Sequence, residues 1–76
     1  ILYELLPGQE TPVDMPHAGE EFGYVLAGSI TLRIGMKTER LRRGDAFYFT
    51  ADKQHSIKNR GKSTAQIIWV SSPPNF

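Results

Sequence analysis

The sequence predicts an all-β domain, an antiparallel sandwich or barrel. Glycine and proline recur every several residues, and no amphipathic helical window survives between them. Between these breaks the chain forms about eight short runs of even spacing, mostly alternating apolar and polar, as two sheets facing each other across one core require.

The runs follow in order. ILYELLP reads as a first strand, closed by Pro7-Gly8. Residues 10–15 read as a short second strand, which Pro12 and Pro16 confine to an edge. In EFGYVLAG, Phe22, Tyr24 and Leu26 share one face, and Glu21, Gly23 and Val25 the other. Ala27-Gly28-Ser29 turns the chain into SITLRIG, where Ile30, Leu32 and Ile34 oppose Thr31 and Arg33. These two runs read as a hairpin. A tight turn at Gly35-Met36-Lys37 leads into TERLRRGD, with Leu41 inward, and Arg43-Gly44-Asp45 turns it into the aromatic strand AFYFT. ADKQ is a loop, and HSIKN alternates His55, Ile57 and Asn59 against Ser56 and Lys58. A turn at Asn59-Arg60-Gly61-Lys62 opens the last strand, STAQIIWV, whose near-continuous apolar end predicts burial on both faces. SSPPNF leaves the sheet as an extended tail, because Pro73-Pro74 cannot join a ladder.

The 76 residues are 39% hydrophobic and 22% charged, which fits one small domain over 1–76. A chain this short buries only about 60% of its unfolded surface, so a partner subunit is an expected source of stability. No cysteine is present, which removes disulfides and thiolate ligands and fits a cytoplasmic protein. Nine Lys/Arg against eight Asp/Glu give a charge of +1, which argues against a nucleic-acid-binding face. The basic cluster Arg40, Arg42 and Arg43 reads as a solvated strand end, and Arg33 as solvent-facing. No apolar run approaches the roughly 20 residues of a membrane span, and no signal peptide is visible. The chain opens on Ile1 with a strand already under way, so a piece of a longer protein is expected.

His17 precedes one strand, Glu21 begins it, and His55 begins a later one. Pointing inward, two imidazoles and one carboxylate form a triad that suits Zn, Fe, Mn or Ni and leaves positions open. The alternative is that each histidine bonds a turn or faces water. Glu20 and Glu21 point to opposite faces and cannot act as a carboxylate pair. Neither histidine has a placed nucleophile and no Gly-rich phosphate loop exists, so no catalytic residue is assigned. Of Phe22, Tyr24, Phe47, Tyr48, Phe49 and Trp69, most are expected to fill the core. Phe47 and Phe49 share a face that excludes Tyr48, and Tyr24 lies opposite Glu21.

Two runs resemble the paired motifs of the cupin superfamily. The first is Met15-Pro16-His17, then Glu21, then Gly28; the second is Gly44, Thr50-Ala51-Asp52, His55 and Asn59. GEEFGYVLAGSITL, RGDAFYF and IIWVSSPPNF resemble the cupin sensor domain at the C-terminus of Xre-type helix-turn-helix transcriptional regulators. The resemblance implies a small antiparallel double-sheet jelly-roll barrel. It implies His17, Glu21 and His55 as ligands of a divalent metal, in a pocket lined by Met15, Phe49 and Trp69. Met15 stands where the family's first metal histidine sits, and a thioether suits copper better than hard divalent ions. Thr50 and Asp52 replace the second motif's proline and glycine. The implied function is a small-molecule-sensing, dimerising domain of a bacterial regulator, reaching DNA only through a separate N-terminal domain. A small metal-dependent dioxygenase or isomerase is the alternative, and an oligomerisation domain with a vestigial pocket is a third.

Overall fold

The computed structural model describes residues 1–13 and 15–72. Seven strands run in chain order: β1 Leu2–Leu5, β2 Glu20–Ala27, β3 Ser29–Ile34, β4 Lys37–Arg42, β5 Ala46–Thr50, β6 His55–Lys58 and β7 Ala65–Ser72. They form two antiparallel sheets, ordered β1-β7-β2-β5 and β4-β3-β6. No helix occurs among the described residues, and so none is long and apolar enough to cross a membrane.

The inner faces follow from alternation. Val25 on β2, Phe49 on β5, and Ile67 and Trp69 on β7 come from the larger sheet. Ile30 and Leu32 on β3, Leu41 on β4 and Ile57 on β6 meet them from the smaller one. Strand β2 buries its Glu21–Gly23–Val25 face, while Phe22, Tyr24 and Leu26 stay about 40% exposed outside. Gly23 is required here. An added Cβ would strike the Phe47 ring and sit 2.5 Å from the Ile68 carbonyl oxygen.

Four expectations are corrected. Strands β2 and β3 do not form a hairpin: β2 pairs with β7 and β5 in the larger sheet and β3 with β4 and β6 in the smaller, so the Gly28 turn carries the chain from one sheet to the other. Of residues 10–15, those described, 10–13 and 15, form no strand. Glu10 makes one isolated bridge to Lys58, and the Thr11 N–H donates to the Ile57 carbonyl, before Pro12, which has no N–H, interrupts pairing. Strand β7 is buried on one face only. Ile67 is fully buried and Trp69 8% exposed, but Ile68 and Val70 are 41% and 38% exposed on the outer face. An apolar run therefore marked a sheet whose outer face is bare, not one sandwiched on both sides. Finally, Ser71 and Ser72 stay in the ladder opposite Glu21 and Glu20, so the strand outlasts the predicted start of the tail. Pro73 to Phe76 lie outside the described residues.

Asn59, fully buried, fixes the turn between β6 and β7. Its Nδ2 donates to the carbonyls of Leu5 (2.9 Å) and Ser63 (2.8 Å), and its Oδ1 accepts from the Gly61 N–H at 2.9 Å. A buried amide with donors and acceptor all engaged specifies one loop conformation. Gly28, at φ 72°, packs the β2–β3 turn against it, where a Cβ would come within 2.9 Å of the Thr64 carbonyl oxygen.

Candidate metal centre

Glu21 enters the barrel at the start of β2, and its carboxylate is the hub of one end. Its Oε2 accepts from the Trp69 indole N–H at 2.7 Å and from the Ser71 hydroxyl at 2.5 Å, both on the adjacent β7. Two hydrogen bonds to one oxygen pin the side chain and leave Oε1 to the histidines. His17 Nε2 lies 3.2 Å from Oε1 and His55 Nε2 lies 3.9 Å from it. Glu21 and His55 are each only 2% exposed, and the His17 side chain 20%.

The tautomers follow from the other ring nitrogens. His17 Nδ1 sits 3.1 Å from the Ala18 carbonyl oxygen, and His55 Nδ1 sits 3.2 Å from that of Lys53. A carbonyl oxygen only accepts, so in the neutral ring Nδ1 carries the proton and Nε2 turns its lone pair toward Glu21. His17 Nε2 is buried and makes no hydrogen bond. Two imidazole nitrogens and a carboxylate oxygen thus converge at one end of the barrel, an arrangement that a proton or a metal cation among them would satisfy.

The donor set fits a metal ion. One ligand atom from each of His17, Glu21 and His55 lies within 4.8 Å of the others. Metal–ligand bonds of about 2.0–2.2 Å place neighbouring donors roughly 3–4 Å apart, and the Oε1 distances fall in that range. Both histidines have a backbone carbonyl, and the carboxylate a Trp and a Ser, as orienting partners of the kind that metal ligands carry. Three protein donors leave coordination positions for water or substrate.

Aromatic rings wall this end. The His55 ring packs edge-on to Phe49 at 5.0 Å between centroids and near-parallel to Trp69 at 6.1 Å. Trp69 also lines a cavity of about 240 Å³ with Tyr3, Thr11 and His55. On the other side Phe49, with Leu32, Ile34 and Met36, lines an open cavity of about 810 Å³. Met15 lines neither cavity. It is 64% exposed, and its sulfur accepts from Gln54 Nε2 at 3.7 Å. Tyr24 and Tyr48 point outward, as alternation predicts, and Phe22 with them, so half of the six aromatics and not most of them fill the core: Phe47, Phe49 and Trp69.

Sequence reasoning missed Ser71, because it was assigned to the tail. It saw Trp69 as a ring and not as the donor that holds Glu21. The one available signal was the register of β7, since Glu21 pairs with Ser71 and Gly23 with Trp69.

Comparison with known proteins places this geometry in context. The Cupin_2 family, described as a cupin domain, matches residues 1–71. Tetracenomycin polyketide synthase protein TcmJ of Streptomyces glaucescens is 30% identical over 70 residues, which cover 92% of this chain and 47% of TcmJ. The HTH-type transcriptional regulator PuuR of Escherichia coli is 33% identical over 70 residues, covering 92% of this chain and 38% of PuuR. The chain thus spans less than half the length of these two relatives. Among solved structures, TT1209 from Thermus thermophilus is 31% identical with a TM-score of 0.84, over 92% of this chain and 67% of that one. The Cupin_2 domain of an XRE family transcriptional regulator from Enterobacter cloacae shares the fold with a TM-score of 0.87. It is 22% identical, over 97% of this chain and 79% of that one.

Proposed function

The chain belongs to the cupin domain family, and on that premise we propose that it is the small-molecule-sensing and dimerising domain of a bacterial transcriptional regulator. The observation that carries this reading is the buried His17–Glu21–His55 cluster beside aromatic-walled cavities, on a fold shared with a regulator's cupin domain. In this reading the domain forms the C-terminal part of a longer cytoplasmic chain, with the base-reading helices in a separate preceding domain. An effector occupies one of the two cavities beside the cluster, that lined by Trp69 or that lined by Phe49; the expected place of Met15 in the lining is dropped, since its side chain is exposed and borders neither. The effector shifts the regulator only insofar as it binds one arrangement better than the other.

His17, Glu21 and His55 would hold the ion, with Zn, Fe, Mn and Ni all suited to the donor set. Once bound, such an ion supplies Lewis-acid polarisation of a ligand oxygen. Trp69 and Ser71, which donate to Glu21 Oε2, would hold the carboxylate in place for the ion, and the Phe49 and Trp69 rings flank His55.

Dimerisation is supported by the bare outer face of the larger sheet. The register aligns Leu2, Ile68 and Tyr24 in one row and Val70, Phe22 and Tyr48 in the next, each 38–61% exposed. A contiguous apolar surface of this kind marks a protein contact, and a stable one covers about 800 Å² per partner. Light scattering on the chain at micromolar concentration should give a dimer, and Ile68→Lys a monomer. A monomeric parent overturns this part of the reading.

The second reading is a metal-dependent dioxygenase- or isomerase-type enzyme, favoured by the open three-donor set. The deciding experiment is elemental analysis of the chain purified without added metal, followed by DNA affinity of the regulator carrying this domain, with and without candidate effectors. Effector-dependent affinity supports the sensor. Near-stoichiometric metal with turnover and no effector dependence supports the enzyme.

A further inference from the structure

Five of the chain's nine cations line one open groove of about 550 Å³: Arg40, Arg42, Arg43, Arg60 and Lys62. It lies at the end of the barrel away from the His–Glu cluster. Strand β3 shows this directly, since Ser29 at its start pairs with Arg42 and Ile34 at its end pairs with His55. All five cations are exposed, and none forms an ion pair among the described residues. No acidic residue lines the groove. Asp45 is close in sequence, but its carboxylate accepts from the Arg42 backbone N–H at 2.8 Å.

The clustering is built into the fold. Asn59 locks the turn that carries Arg60 and Lys62, and Gly28 lets the β2–β3 turn pack against it. This sets the β6–β7 turn beside the end of β4, so that two basic segments distant in sequence share one rim. Like charges held together in this way oppose folding, and a bound polyanion relieves them.

We propose that this groove binds the phosphates of duplex nucleic acid without reading sequence. Four of the five cations are arginines, whose planar forks match phosphate oxygens in pairs. The hydroxyls of Ser29 and Ser63 add neutral donors at the same surface. No aromatic ring lines the groove, so unpaired bases have nothing to stack on, which favours a duplex over a single strand. The groove is shallow and holds no buried polar side chain, which suits an extended backbone better than an enclosed small anion. The inference rests on charge placement alone and stands independently of metal or effector at the other end. It revises the expectation from a net charge of +1, because the fold concentrates cations that composition averages away.

The test is fluorescence anisotropy of a labelled duplex of about 20 base pairs and arbitrary sequence, titrated with the 76-residue chain. With all five cations engaged, the log–log salt slope is about −4.5, so affinity falls several hundredfold between about 50 and 200 mM salt. Arg60→Glu should weaken binding about tenfold or more, and Arg60→Gln less, in the same direction. Arg33→Glu carries the same charge change outside the groove and should cost under about twofold. Melting curves that match the parent identify the folded variants. The proposal is overturned by no binding at the lower salt with about 100 μM chain, by equal losses in Arg60→Glu and Arg33→Glu, or by poly-glutamate competing as well as duplex at equal charge.

Discussion

The two ends of the barrel handle charge in opposite ways. At one end Glu21 and His55 are withdrawn from water, and every polar neighbour of the carboxylate is specified: Trp69, Ser71, His17 and His55. At the other end five cations stand in solvent with no ion-pair partner among the described residues. A buried charge is costly unless each partner is in place, so removing one group disturbs the rest. An exposed charge keeps its hydration, so single residues matter little and only their sum acts at a distance. One end therefore gains selectivity from a few fixed contacts, the other gains affinity from number.

The comparison is broken most severely at the buried end. His55→Ala removes one of three donors, and divalent metal affinity should fall by about a hundredfold or more. Met15→His offers a fourth imidazole and should raise it. Zinc titration by calorimetry reads both, and equal metal content in the parent and the two variants would sink the triad.

A subtler change separates packing from hydrogen bonding. Trp69→Phe keeps a ring against His55 and Phe49 but deletes the N–H that holds Glu21 Oε2. Denaturant unfolding should show a loss of about 1.5–3 kcal/mol, the range for a hydrogen bond to a charged group. Metal affinity should drop about tenfold, because the carboxylate is then less firmly oriented. A change in stability without a change in affinity would make Trp69 a packing residue only.

The exposed end should respond weakly. Arg40→Ala or Arg42→Ala should change stability by less than about 0.5 kcal/mol. The sign should be stabilising at low salt, where like charges repel, and the effect should vanish at about 1 M salt. A loss above about 1 kcal/mol would mean that these arginines hold the fold together.

The smallest effect contrasts two adjacent glutamates. Glu20 lies on the outer face next to buried Glu21, and its Oε1 accepts from the Tyr48 hydroxyl at 2.7 Å. That hydrogen bond, with lesser help from desolvation and the negative charge, raises the Tyr48 pKa above its ordinary 10.0. Folding thus favours the neutral phenol. The contribution is fully present below pH 10.0 and is lost as pH rises through the native value. Glu20→Gln should return the Tyr48 titration toward 10.0, as followed by ring proton shifts in nuclear magnetic resonance. An unmoved titration would show that the bond does not persist in solution.

Much of this was legible in the chain. Alternation placed Glu21 with Val25, Phe47 with Phe49, and Ile30 with Leu32, because a strand's side chains must alternate. The reading failed where a local pattern had two meanings. Ile67-Ile68-Trp69-Val70 looked doubly buried, yet apolarity on the outer face does not show whether this chain covers it. Residues 10–15 looked like a strand, but with Pro12 breaking the ladder only Glu10 makes a bridge among the described residues of that run. Ser71 was lost with the tail, since the two prolines beyond it suggested too early an exit.

The amino-acid order by itself determined the all-β class, most of the turns, the inner faces and the placing of Glu21 and His55 at strand starts with His17 just before one. These follow from backbone geometry and side-chain period, which act over a few residues. Only the tertiary structure decided that Ser71 and Trp69 share one carboxylate oxygen, that both Nδ1 atoms face carbonyls, and that Arg60 and Lys62 join Arg40, Arg42 and Arg43. Those outcomes depend on strand register and sheet pairing between segments far apart in the chain, which the packing of the whole core sets and no local pattern contains.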